Sequence, residues 1–544
     1  MKQKGQTMQT HADPIMPVAG GAPQSGRTSG KSLAPFVGRL IVAAAFVIAG
    51  ITYGWLRAQS GAGVEFALWI AIAAGFGAYM ALNIGANDVA NNIGPTVGAG
   101  VMPLGIALIM AAGFEFLGAL IAGGSVTGTV RGGIVAPEAF VDSRTYVWVM
   151  MAALLAAALW LNLASSVGAP VSTTHSIVGG VMGGGIAAAG LSVVNWPVVM
   201  NIVASWVVSP LLGASLAALF LYVVKRSITY QGDVLDAAAR RVPLLVAAMG
   251  WSFASYMMLK GVSKIVDVTA TQAIAGGGIV AVAIWALMRV IVARRIPALS
   301  NCKESVNRLL AVPLIFAAAL LSFAHGSNDV ANAIGPLAGI YDALTQGGVQ
   351  SRAAIPIWTL VLGALGLAVG LILFGPKVIR TIGTELTGLD AMRAYCIAMA
   401  ATITVIIASQ LGLPVSTTHV TVGAVLGVGF LREWIKTSHA RALAEIRAHH
   451  GADDTAAVEA FIARFVATPL AGRKAMLDDL KARNKAGIPA ALSRRDRKSL
   501  NRAHKRDLVN RGLMVRIFAA WVITVPATAL MSGLIYFTLR GMLL

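Results

Sequence analysis

Apolar residues in this chain run in continuous blocks rather than in stripes. Val64–Ile84, Met102–Ala122, Val147–Leu163, Val242–Met258 and Ile274–Val292 are the clearest. A helix lying on a soluble core carries an apolar stripe about 100° wide, with polar residues on its other face. These blocks are apolar all round and approach or reach the ~20 residues that cross a bilayer. Leu40–Trp55 reads the same way. The pattern predicts an all-α, multi-pass membrane protein with roughly 12–13 membrane segments.

Composition agrees. The 544 residues are 57% hydrophobic and 12% charged, against roughly 45–50% apolar and about 25% charged in soluble domains. The excess is too large to bury in a water-soluble core. Net charge is +20, from 43 Lys+Arg and 23 Asp+Glu. Much of it lies in Lys225–Arg226, Arg240–Arg241, Arg294–Arg295 and the polar segment Arg432–Leu513. Cytoplasmic loops of membrane proteins are enriched in Lys and Arg, so these clusters mark the inner side and do not call for nucleic acid. Cys302 and Cys396 have no metal-ligand spacing and predict no disulfide. Met1–Val37 is polar and does not open as a signal peptide.

The polar interruptions carry the chemistry. GANDVANNIGP, Gly85–Pro95, returns as GSNDVANAIGP, Gly326–Pro336, identical at nine of eleven positions with Asp329 placed 241 residues after Asp88. PVSTTH stands at Pro170–His175 and again at Pro414–His419. A weaker pair, Gly123-x-x-Val126-x-x-Thr129 and Gly375-x-x-Val378-x-x-Thr381, lies between them in both halves. Three motifs in the same order at similar spacing make the chain a duplication. The expected organisation is a disordered cytoplasmic tail (1–37), an extra membrane helix (38–57), repeat one (64–224), two connecting helices with basic loops (225–308), repeat two (309–431), a basic cytoplasmic insertion (432–513) and a last membrane helix (514–544). Helix-like runs such as Ala456–Phe465 and Arg473–Lys481 are expected inside the insertion.

An ionisable residue inside a membrane segment is costly and marks an ion or substrate path. Asp88 and Asp329 are therefore candidate cation sites, with amide oxygens from Asn87, Asn91, Asn328 and Asn332 completing a hard oxygen set. The plainer alternative is that these residues cap helix ends and fix packing. Pro followed by Ser-Thr-Thr reads as a helix start, with hydroxyls at the cap and free N–H groups. Helix starts bind anions, so Ser172, Thr173, Thr174, Ser416, Thr417 and Thr418 are the candidate anion cradle. The runs that follow, Ser176–Ala189 and Val420–Leu431, are short for a full span and suit re-entrant hairpins. His175 and His419 have no orienting acid nearby, so a Ser–His nucleophile is not expected. Glu115 is another acid in an apolar run, but Leu367 stands opposite it in the second repeat, and it ranks below the two Asp residues. No Walker A motif is present. Duplicated halves with broken helices point to a secondary transporter.

These motifs resemble the inorganic phosphate transporter (PiT) family, over roughly Val64–Val224 and Leu309–Leu544. The resemblance implies two inverted-topology repeats with re-entrant hairpins and symport of inorganic phosphate with Na+ or H+. No enzyme activity, cofactor or metal is implied beyond that ion, which Na+ would fill at the Asp and Asn positions. Proton-coupled bacterial members carry His directly before the Asp; Asn87 and Asn328 here match the sodium-coupled pattern. Expected partners are phosphate, the coupling ion, the bilayer and, optionally, a second copy of the chain, with the protein in the inner membrane and its N-terminus inside. Sulfate permeases of similar sequence are the nearest alternative. An intramembrane aspartyl protease would need G-x-G-D, which is absent, and a passive anion channel would not concentrate its substrate.

Overall fold

The computed structural model describes residues 34–61, 64–346, 355–380, 389–448 and 511–543. The predicted N-terminal tail up to residue 33 and most of the basic insertion, including both of its helix-like runs, lie outside them. Among the described residues the fold is all-helical, and eleven helices are long and apolar enough to cross a membrane. In chain order the helices are α1 (Ala34–Gly61), α2 (Val64–Gly98), α3 (Leu104–Ala122), α4 (Gly124–Gly128), α5 (Ser143–Val167), α6 (Thr173–Ala189), α7 (Trp196–Val224), α8 (Val234–Lys260) and α9 (Ala270–Arg295). There follow α10 (Lys303–Asp329), α11 (Ala331–Thr345), α12 (Ile357–Phe374), α13 (Pro376–Arg380), α14 (Ala391–Gln410), α15 (Thr417–Ala448) and α16 (Arg511–Leu543). The shorter apolar α6 and the start of α15 are the two PVSTTH helices.

The helix breaks fall elsewhere than the main motif suggests. The first acid motif lies inside α2, which runs unbroken to Gly98 with Pro95 within it. The second is interrupted only at Val330, between α10 and α11. The glycines act instead as contact points. A Cβ on Gly85 would strike the Leu367 carbonyl, and one on Gly326 the Glu115 carbonyl. These two glycines are repeat equivalents, so each motif helix is pressed bare-backboned against the other half: α2 against α12, α10 against α3. The breaks occur at the weaker pair, with Gly123 between α3 and α4 and Gly375 between α12 and α13.

Contacts between helix ends fix which termini share a side. The N–H groups of Val234 and Leu235 donate to Asn301 Oδ1 at 2.9 and 3.3 Å, and Lys303 Nζ reaches Asp390 at 3.1 Å. The starts of α8, α10 and α14 therefore meet at one end. At the other end Val135 bridges Val194, and the Asn195 N–H donates to the Ile134 carbonyl at 2.9 Å, where α7 begins.

Asp390 also caps α14 by accepting from the Arg393 N–H at 3.0 Å. Burial works to raise its carboxyl, but Arg393 and Lys303 beside it hold it below the usual carboxylate range. A carboxylate depressed on folding stabilises above its unfolded pKa, and that stability is lost as pH falls through the folded value. Asp390→Ala should cost about 1 kcal/mol, the size of a lost helix cap, in thermal unfolding of the detergent-solubilised protein at neutral pH. The gap from wild type should close in acid below about pH 3 to 4, the unfolded carboxylate range.

Candidate substrate and cation site

α2 and α10 carry the two Asp-Asn motifs, and the starts of α6 and α15 meet them. Ser172 and Ser416 are the N-caps: their hydroxyls accept from the His175 and His419 N–H groups at 3.1 and 3.2 Å. The next residues cross between halves. Thr174 Oγ1 donates to the Val415 carbonyl at 2.9 Å, and Thr418 Oγ1 to the Val171 carbonyl at 3.3 Å. The two hairpin tips are thus tied by equivalent hydrogen bonds.

The tips close onto the acids. Thr418 Oγ1 donates to Asp88 Oδ1 at 2.9 Å. Thr417 and Thr173 donate to Asp329 Oδ2 at 3.0 and 3.3 Å. Asn91 Nδ2 donates to Asp88 Oδ1 (3.3 Å) and Thr418 Oγ1 (2.9 Å). Asn332 Nδ2 donates to Thr173 and Thr174 at 3.3 and 3.2 Å. Asp88, Asp329, Asn91 and Asn332 are fully buried. Asp88 Oδ2, Asp329 Oδ1 and the side-chain oxygens of Asn91 and Asn332 accept no hydrogen bond from the described residues. Buried acceptors left without a donor are rare and call for an explanation.

The amide nitrogens of Asn87 and Asn328 hold the hairpin entries, and the Asn328 side-chain oxygen, like those of Asn91 and Asn332, accepts no hydrogen bond from the described residues. Asn87 Nδ2 donates to Ser165 Oγ (3.2 Å) and the Ala169 carbonyl (3.1 Å), and its Oδ1 accepts from the Val171 N–H at 3.3 Å. Asn328 Nδ2 donates to Ser409 Oγ (3.0 Å) and the Leu413 carbonyl (3.3 Å). Each holds the chain that enters its hairpin tip.

Sequence reasoning missed His325. It lies one helical turn before Asp329, with Nε2 3.3 Å from Asp329 Oδ2 and 3.7 Å from Asp88 Oδ2. Its Nδ1 is 3.0 Å from Glu115 Oε1, and Asn92 Nδ2 donates to the same oxygen at 2.6 Å. Donor atoms of Asp88, His325 and Asp329 all lie within 4.8 Å of one another, a group able to hold a cation. The available signal was the i, i+4 spacing of His325 and Asp329 on one helix face. Glu115, ranked lower for breaking the repeat, is matched by a residue that breaks it in the other half: Ile84 occupies the position equivalent to His325.

His175 and His419 form a second paired feature. Their rings meet edge to face with centroids 4.4 Å apart. His175 packs on Trp206 of α7 at 3.7 Å, and His419 on Trp521 of α16 at 3.6 Å. Each Nδ1 faces the backbone carbonyl of the other tryptophan, at 3.4 and 3.5 Å. Among the described residues neither ring contacts an acid, an arrangement that holds the hairpins and gives no sign of nucleophile activation.

An all-helical arrangement among the described residues, with a buried centre of acids, amides and helix starts, has the features of a membrane transport protein. A family model described as "Phosphate transporter family" matches residues 84–532, and the chain belongs to that family. It is 47% identical over 479 residues to a "Putative phosphate permease" of Helicobacter pylori (strain J99), covering 87% of this chain and 90% of the relative. A protein of the same description from Chlamydia trachomatis is 41% identical over 377 residues, covering 65% of this chain and 88% of that one. Among solved structures, "The sodium-dependent phosphate transporter" matches with a TM-score of 0.69 and 30% identity, covering 87% of this chain and 99% of the other.

Gly326→Ala should destabilise the protein by about 1–3 kcal/mol, because the added methyl overpacks α10 against the Glu115 carbonyl. Gly113→Ala, where a Cβ would meet nothing within 4 Å, is the matched control. Thermal unfolding of the two variants in detergent should separate them clearly.

Proposed function

We propose that this phosphate transporter is a cation-coupled symporter with sodium as the coupling ion. The observation that carries the reading is the set of buried oxygens on Asp88, Asp329, Asn91 and Asn332 that accept no hydrogen bond. They form a hard oxygen set suited to Na+, and the sodium dependence named for the solved neighbour supports the same ion. Phosphate is assigned to the paired helix starts, where the hydroxyls of Ser172, Thr173, Thr174, Ser416, Thr417 and Thr418 sit at the positive ends of the α6 and α15 dipoles.

Coupling then follows from charge. Phosphate carries one to two negative charges near neutral pH, and two bare carboxylates beside it would repel it. Cations on Asp88 and Asp329 remove that repulsion, so each ligand raises affinity for the other. His325 is the resident group between the two carboxylates; it orients them and, when protonated, supplies part of the compensating charge itself. Glu115 fixes the His325 ring from its other nitrogen.

The order of helix ends supports inverted repeats. The α5–α6 hairpin returns to the end where α7 begins, whereas α14 starts at the opposite end, beside Lys303 and the basic clusters. Those clusters assign that end to the cytoplasm of an inner-membrane protein. The N-terminus and the insertion before α16 then lie inside.

Radiolabelled phosphate uptake into proteoliposomes tests this, under an imposed sodium gradient or an imposed proton gradient, with excess unlabelled sulfate as competitor. Sodium-driven, sulfate-resistant accumulation is expected. Accumulation driven only by protons would replace the ion, and loss of signal under sulfate would replace the substrate. Asp88→Asn and Asp329→Asn should each abolish coupled uptake; wild-type rates in either would remove that residue from the cation site. Ser416→Ala should mainly raise the apparent KM for phosphate, and an unchanged KM would count against the cradle.

A further inference from the structure

Arg131 and Asp342 form an ion pair that the reading above does not use. Their side chains are only 1% and 2% exposed. Arg131 sits in the wide helical turn Thr129–Gly133 that follows α4, and Asp342 in the last turns of α11. The surroundings hold the turn firmly. Tyr146 Oη donates to the Arg131 carbonyl at 2.5 Å. Gly335 lies against Val130 and the Arg131 backbone, and Gly339 against Tyr146.

Three features separate this pair from a packing device. First, an ion pair this deeply buried in a membrane protein repays its desolvation poorly, and apolar residues of similar size serve stability as well. Ionisable residues kept at such depth mark ion and substrate paths.

Second, the pair is one-sided. The offset relating Asp88 to Asp329 sets Val101 opposite Asp342, and the offset relating Gly123 to Gly375 sets Gly383 opposite Arg131. A purely structural clasp in a duplicated fold has no reason to occur once. A recognition point on one face does.

Third, the pair is wired to a hairpin. Thr129 Oγ1, two residues before Arg131, donates to the Gly412 carbonyl at 2.8 Å, in the loop leading to Ser416. The pair also lies toward the end where Ile134 and Val135 meet Val194 and Asn195, away from the basic clusters.

We infer that Arg131 is a second phosphate-recognition residue, on the outer side of the central site, with Asp342 as the carboxylate it holds until phosphate displaces it. The inference rests on the phosphate-symport reading and on the basic end being the inner one. A guanidinium presents a planar fork that matches phosphate with two parallel hydrogen bonds, as it matches carboxylate. Arriving phosphate exchanges for Asp342, and movement of the Thr129–Arg131 turn is felt at the second hairpin through Gly412.

The test is the phosphate KM and maximal rate for sodium-driven uptake from outside, in proteoliposomes of the full chain, with size-exclusion chromatography reporting assembly. Asp342→Asn removes the competing charge and should lower the phosphate KM several-fold while slowing the maximal rate. Arg131→Lys keeps the charge but loses the fork and should raise the phosphate KM several-fold, with little change in the sodium dependence. The exchange variant Arg131→Asp/Asp342→Arg restores a pair but moves the cation onto α11, and its phosphate KM should stay raised. Wild-type phosphate KM in both single variants, or in the exchange variant, would reduce the pair to a structural clasp. Wild-type protein that accumulates no phosphate under any gradient would end the symport reading itself, a result distinct from failure of this assignment.

Discussion

Three carboxylates buried around one imidazole set the terms for the rest of the molecule. Asp88, Glu115 and Asp329 all reach His325, and none is exposed to water. An isolated carboxylate taken out of water costs far more than a folded chain can spare, so each must be paired or hydrogen-bonded. The structure answers by bringing donors from every neighbouring element. Threonines arrive from both hairpin tips, asparagines Asn91 and Asn92 from α2, and the imidazole from α10. The bare backbone contacts at Gly85 and Gly326 follow from the same demand: side chains there would push the acid-bearing helices away from the groups that satisfy them.

Exchange of partners between the halves is the architectural form of that demand. The tip of α15 from the second half reaches Asp88 of the first, while the tip of α6 from the first reaches Asp329 of the second. His175 and His419 repeat the exchange one residue further on, each stacking on one tryptophan and facing the other's carbonyl. Neither half completes a site alone. The duplication is therefore not two transporters side by side but one centre built from two incomplete copies.

Much of this was legible in the sequence, and the reasons for the rest are physical. The apolar blocks gave the membrane class, and the duplicated motifs pointed to the acids and helix starts that the structure brings together, because burying an Asp among apolar residues is costly enough to stand out. The Gly and Pro of GANDVANNIGP suggest a helix break, because such residues usually free backbone groups. Yet Gly85 serves a close approach, and α2 continues through Pro95. Asn87 and Asn328 read as cation ligands by residue type; the fold adds that their amide nitrogens hold the chain entering each hairpin, while the Asn328 side-chain oxygen accepts no hydrogen bond from the described residues. His325 escaped and Glu115 ranked low because reasoning from the repeat favours what occurs twice. The centre sits where the halves meet, and one shared imidazole there can serve both acids. Arg131 and Asp342 were hidden for the same reason, standing 211 positions apart.

The threonine hydroxyls carry the coupling argument one step further. A hydroxyl has a single proton to donate. Thr173 and Thr417 direct theirs to Asp329, Thr174 directs its own to the Val415 carbonyl, and Thr418 divides its own between Asp88 and the Val171 carbonyl. In this arrangement the threonine hydroxyl protons are committed. On the symport reading proposed above, a cation on Asp88 and Asp329 would take over the compensation those hydroxyls provide and free them to turn toward phosphate. Cation binding would then do more than cancel repulsion: it would supply donors to the phosphate site. On the same reading, such a centre would bind its cation before its anion, with relief of repulsion and release of hydroxyl donors both contributing to the linkage.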